Sequence, residues 1–145
     1  AFRDTDDDRS ERRKKLAGHK RLGGDTPQHK VAVMMPSETL EVLVLDGKQL
    51  EPFPNLVYAL SGKPNLRQLR VQRGSQTEIP YSIGRLSRLE SLQLLENAEM
   101  ATAHKDAWRC TTLQSLVAWK NPRLEELGDG LSQCTRLTQL SVHEN

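Results

Sequence analysis

One nine-residue phrase returns five times: LEVLVLDGK at 40, LRQLRVQRG at 66, LESLQLLEN at 89, LQSLVAWKN at 113 and LTQLSVHEN at 137. The starts lie 26, 23, 24 and 24 residues apart. Such self-similarity constrains the fold more than any composition figure does. Each period is a supersecondary unit that cannot bury its apolar side alone, so the units must stack, and about three are needed before a stack is stable. Residues 40–145 are therefore expected to form one repeat array. With 36% hydrophobic and 28% charged residues, the chain is polar for a globular protein, which implies that part of it lies outside any core.

The fourth and sixth places of the phrase are apolar between polar neighbours, the period of a short strand with one buried face. Leu43 and Leu45, Leu69 and Val71, Leu92 and Leu94, Leu116 with the smaller Ala118, and Leu140 and Val142 fill those places. The second halves change period. Ile79, Ile83, Leu86 and Leu89, then Met100, Ala103, Ala107, Cys110 and Leu113, then Leu124, Leu127, Leu131, Cys134 and Leu137 return at intervals of mostly three and four, one face of a helical turn. Each unit thus reads as a strand followed by a tighter return segment. Asn97, Asn121 and Asn145 hold the ninth place of their phrases, where a buried amide can bond the backbone of its own and neighbouring units as a structural ladder. Lys48 and Gly74 interrupt that ladder in the first two units.

The pattern L-x-x-L-x-L-x-x-N at a period of about 20 to 29 residues resembles that of the leucine-rich repeat family. The resemblance covers residues 40–145. In its best unit, LRQLRVQRGSQTEIPYSIGRLSRL, residues Ile79, Pro80, Ile83, Leu86 and Leu89 fall on the family's L-P-x-x-I-x-x-L-x-x-L ending. The resemblance implies an α/β solenoid wound as a right-handed superhelix, with parallel concave strands and helical or irregular convex segments. LTQLSVHEN is then the strand half of a fifth repeat whose return half is absent, and the chain is expected to be a fragment of about four and a half repeats.

In a solenoid the outward places of successive strands form columns on the concave surface, the surface such proteins use for binding. The fifth place gives Val44, Arg70, Gln93, Val117 and Ser141; the seventh gives Asp46, Gln72, Leu95, Trp119 and His143; the eighth gives Gly47, Arg73, Glu96, Lys120 and Glu144. Leu95, Val117 and Trp119 would form an apolar centre inside a polar rim, the anatomy of an interface. The candidate partner-binding residues are Arg70, Gln72, Arg73, Gln93, Leu95, Glu96, Val117, Trp119, Lys120 and His143. The bland alternative is that Trp119 lies flat and only covers its neighbours. Trp108, on the return half, is expected to pack on the convex side.

Residues 1–30 hold nine Lys or Arg against six Asp or Glu, whereas residues 31–145 hold twelve against thirteen. The first thirty are expected to be a basic, flexible extension. Residues 31–39, with Val31, Val33 and Met35 on alternate places, read as a capping strand or a degenerate repeat. Arg9, Arg12, Arg13, Lys14, Lys15, Lys20 and Arg21 could contact nucleic acid, an anionic membrane surface or another acidic partner. The plainer reading of that run is a solvated tail, since no aromatic is interleaved for stacking.

Two cysteines, Cys110 and Cys134, are too few for a disulfide framework and favour a reducing compartment; they read as small buried thiols, with pairing left open. His19, His29, His104 and His143 lie far apart and no C-x-x-C occurs, so no metal site is expected. The chain contains no G-x-S-x-G, Walker loop, dinucleotide fingerprint or H-E-x-x-H. It is read as a non-enzyme without cofactor, small-molecule substrate or transmembrane segment, intracellular and in the first place cytoplasmic, that serves as a scaffold for another protein. Two rival functions remain: a structural subunit of a large assembly, such as a ribonucleoprotein, held by the basic tail; or the substrate-reading part of a larger enzyme, such as a repeat-bearing ubiquitin ligase effector.

Overall fold

The computed structural model describes residues 21–22 and 27–145, with side chains from residue 31 onward. The chain is an α/β protein built on one parallel sheet. Its strands are β1 (Arg21–Leu22), β2 (Val42–Asp46), β3 (Gln68–Gln72), β5 (Ser91–Leu95), β7 (Ser115–Trp119) and β8 (Gln139–His143), in that spatial order. Two short strands outside it, β4 (Glu78–Ile79) and β6 (Thr102–Ala103), pair in parallel with each other. Each of the five repeated phrases supplies one five-residue strand of the main sheet.

Register follows the phrase place for place. Leu43 pairs with Leu69, Leu69 with Leu92, Leu92 with Leu116, and Leu116 with Leu140. Because side chains alternate across a strand, this registry puts every fourth and sixth place on one face. Leu43, Leu45, Leu69, Val71, Leu92, Leu94, Leu116 and Ala118 are all buried there. Against them pack the return segments, which are mostly single 3-10 turns at Tyr81–Arg85, Ala107–Arg109 and Asp129–Gln133. Ile79, Ile83, Leu86, Met100, Ala107, Cys110, Leu124 and Cys134 complete this one core. Trp108 is 1% exposed, and its indole N–H donates to Leu127 O in the following unit at 2.6 Å.

The last strand departs from the expectation. Leu140 and Val142 occupy core places but are 52% and 45% exposed, because β8 is the edge of the sheet and no further strand lies over them.

Residues 31–39, read as a capping strand or a degenerate repeat, contain no strand. Helix α1 spans Pro27–Met34 and ends before Pro36, whose ring blocks continuation. Val33 alone of the three alternating residues is buried; Val31 and Met35 are exposed. The helix is held by Lys63, only 1% exposed, whose Nζ donates to Val33 O at 2.6 Å and Ala59 O at 2.5 Å. Ala59 ends α2 (Leu56–Ala59), which Asn55 caps by accepting from the Val57 N–H. One ammonium thus satisfies carbonyls at the C-terminal ends of both helices, where the backbone otherwise lacks donors. Burial depresses the lysine's pKa below its usual range.

Of the basic residues singled out in the extension, only Arg21 is among the described residues, as backbone in β1 paired with Val42. The others, and most of the extension expected over residues 1–30, lie outside the described residues. Among the described residues no helix is long and apolar enough to cross a membrane.

Candidate functional site

The register that buries the fourth and sixth places turns the fifth and seventh to the opposite face. Arg70, Gln93, Val117 and Ser141 are consecutive partners across the sheet, and so are Gln72, Leu95, Trp119 and His143. With neighbouring strands about 4.8 Å apart, Leu95 lies directly beside Trp119, and Val117 lies on the same face of the same strand as Trp119. Leu95, Val117 and Trp119 are half-buried, whereas Lys120 and His143 are exposed. The sheet thus brings together the candidate residues Arg70, Gln72, Arg73, Gln93, Leu95, Glu96, Val117, Trp119, Lys120 and His143 on or just beyond one face.

Trp119 is held in place from several sides. Its Nε1 donates to Glu144 Oε2 at 3.0 Å, the Lys120 ammonium sits 4.4 Å from the ring centroid, and the His143 ring is tilted against it at 6.0 Å. An aromatic fixed in this way loses little further freedom when something binds to it. Beside it, Arg70 Nε donates to Gln93 Oε1 at 2.8 Å, stiffening the neighbouring column.

The eighth place carries a feature that the sequence did not reveal. Arg73, Glu96, Lys120 and Glu144 all have φ between 53° and 57°, the left-handed region. For residues other than glycine that conformation costs about 1–2 kcal/mol each. The N–H groups at this place continue the hydrogen bonding to the next strand: Gly47 N donates to Gln72 O, Arg73 N to Leu95 O, Glu96 N to Trp119 O and Lys120 N to His143 O. In the first unit the place belongs to Gly47, where a Cβ would collide with the Arg73 carbonyl.

Charges at this turn are linked across strands. Arg73 forms a two-pronged pair with Asp46, Nε to Oδ1 at 3.0 Å and Nη2 to Oδ2 at 2.6 Å, and its Nη1 reaches Glu96 Oε1 at 2.8 Å. Burial opposes ionisation of Asp46, but the Arg73 hydrogen bonds and charge, aided by the Lys48 N–H, hold its carboxyl below the ordinary aspartate value. Its contribution to stability is therefore complete above the unfolded-state value of 3.8 and is lost as pH falls through the lower folded-state value. Wild type should exceed Asp46→Asn by about 1 kcal/mol at neutral pH. Denaturant titrations should show this advantage shrinking as pH falls below about 4; an advantage that does not change on acidification would contradict the assignment.

Behind the turn runs the asparagine ladder. Asn97 Nδ2 donates to Val71 O and to Asn121 Oδ1; Asn121 Nδ2 donates to Leu94 O and to Asn145 Oδ1; Asn145 Nδ2 donates to Ala118 O. Asn97 Oδ1 accepts from Gly74 N and from Gln76 Nε2. Where the second unit lacks its asparagine, Gln76 supplies the missing donor from two residues further on. In the first unit Lys48 N instead donates to Asp46 Oδ1, a purely local turn.

Cys110 and Cys134 are buried free thiols, and the Cys134 thiol is directed toward the Trp108 and Cys110 carbonyls. Burial, reinforced by Cys134, pushes the Cys110 thiol up to about 12. Neither should react with a thiol reagent at pH 8 until denaturant is added; rapid labelling of the folded chain would contradict their burial. Among the described residues no group of three His, Cys, Asp or Glu side chains could hold a metal ion.

No family model matches the chain, and no curated protein matches it.

Proposed function

We propose that residues 40–145 form a leucine-rich repeat solenoid whose concave strand face binds a partner protein. The observation that carries this reading is the direct pairing of Leu95 with Trp119 across β5 and β7, with Val117 on the same face. It makes an apolar centre of half-buried side chains inside a rim of charged and amide groups, as protein interfaces require. The repeat identity is supported by the phrase, its period, the in-register parallel strands in chain order and the ninth-place amide ladder.

The rim is electrically balanced. Arg70, Arg73 and Lys120 stand against Asp46, Glu96 and Glu144, so long-range steering is weak and association should depend only slightly on salt. That separates this reading from anchoring by the basic extension, whose affinity would fall steeply with salt.

The test is Leu95→Asp. A carboxylate in the apolar centre should abolish partner capture at unchanged far-ultraviolet dichroism, while Arg109→Ala, an exposed change on a return segment, should bind as wild type does. Normal binding by Leu95→Asp would overturn the assignment of this face.

A further inference from the structure

At the edge where return segments run into strands, the surface is basic. A cleft of about 170 Å³ lies there, lined by Arg67, Arg88 and Arg136 and by a single acidic residue, Glu90. Three guanidinium charges against one carboxylate leave a local excess of two positive charges, in a body where residues 31–145 hold twelve basic residues against thirteen acidic ones. Glu90 is already engaged: its Oε2 accepts from Arg67 Nη1 at 3.0 Å. Arg88 and Arg136 have no hydrogen-bond or ion-pair partner among the described residues.

The repeat explains why these two arginines meet. Both hold the place before the leading leucine, two repeats apart, with Thr112 at the same place in the repeat between them. Two strand spacings put their backbones about 10 Å apart, a distance over which two long side chains can converge on one group. The Thr112 hydroxyl is turned to Leu89 O at 2.7 Å, so it walls the cleft without competing for a ligand. Ser87 and Gln114 add a hydroxyl and an amide to the lining.

The lining selects the ligand by exclusion as well as by charge. Drug-sized ligands need roughly 300–1,000 Å³, so this cleft takes only a small group. It has no aromatic ring on which a nucleobase could stack. Forked guanidinium donors match the oxygens of phosphate in pairs, and the twofold positive excess matches a dianion. We propose that the cleft binds a phosphomonoester group, held between Arg88 and Arg136 with Arg67 as a third, flanking charge. The site lies apart from the strand face and does not depend on that face being a binding surface.

The 145-residue chain, labelled with ¹⁵N, is titrated at constant ionic strength with inorganic phosphate and, separately, with a phosphoserine peptide and its unphosphorylated form. Saturable shifts confined to amides near residues 87–90, 112–115 and 135–138 are expected. The double variant Arg88→Gln, Arg136→Gln should bind at least about tenfold more weakly at unchanged far-ultraviolet dichroism. Glu90→Gln, which removes the lone carboxylate, should bind more tightly. Binding of the peptide should strengthen as pH rises through the phosphoserine second pKa of about 6. Saturation by phosphate alone assigns the cleft to the free ion, and saturation by the phosphopeptide but not its unmodified form assigns it to a phosphorylated protein. Linear, unsaturated shifts that are the same in wild type and the double variant would overturn the proposal.

Discussion

Replacing Asn121 with alanine is expected to destabilise the chain by about 4 kcal/mol, a large share of the 5–15 kcal/mol that holds a typical domain together. Asn121 is 0% exposed, and both ends of its amide are fully used. Oδ1 accepts from Asn97 N at 2.9 Å and from Asn97 Nδ2 at 3.0 Å, while Nδ2 donates to Leu94 O at 2.9 Å and Asn145 Oδ1 at 3.0 Å. Alanine would strip the Asn97 backbone N–H of its acceptor, leave one Asn97 Nδ2 hydrogen unpaired while the other keeps Val71 O, and remove the side-chain donor to the Leu94 carbonyl, at about 1–3 kcal/mol for each buried group left unpaired before relaxation. The cavity adds to that cost. In a chain of this size the melting temperature should fall by about 12 °C or more. Asn145→Ala gives the internal comparison: the same amide at the exposed edge should cost about 1 kcal/mol. Equal, small losses in the two variants would mean that the ladder does not hold the strands in place.

Trp119→Ala is expected to weaken partner binding by about 2 kcal/mol or more, roughly thirtyfold, with little change in stability. The ring is half-buried in the free chain, so its removal opens no core cavity. It is also pre-set by Glu144, Lys120 and His143, so a partner meets a rigid anchor whose ordering cost has been met in advance. Trp119→Phe separates two contributions. It keeps the aromatic face but removes the N–H that fixes the ring on Glu144, and should lose only part of the affinity. Titration of an identified partner against the three proteins measures both. Trp119→Ala binding within twofold of wild type would show that the ring merely covers its neighbours.

Much of this architecture was readable because the determining interactions are periodic. A phrase that fixes two apolar places per strand also fixes register, since a one-residue slip would expose every one of them. That is why the fourth and sixth places are buried together and the seventh-place column lines up as expected. The amides at Asn97, Asn121 and Asn145 were legible for the same reason. What the sequence hid was aperiodic. Lys63 reads as a solvent-facing cation until two helix ends converge on it. Gln76 replaces a missing asparagine from a different place, which no column of equivalent positions reveals. The left-handed turns at Arg73, Glu96, Lys120 and Glu144 carry none of the glycines that usually mark such geometry. Three alternating residues at Val31, Val33 and Met35 were too short a run to separate a strand from the helix that forms, and Leu140 and Val142 show that a core place is buried only when another layer covers it.

The most direct test of the account is to ask which side of the sheet a partner touches. A photo-crosslinking residue at Val117, in an extract of the cells that produce the protein, should trap one defined partner that the Leu95→Asp chain fails to trap, while the same residue at Arg109 should trap none. Trapping at Arg109 and not at Val117 would place the contact on the return segments and contradict the proposed function.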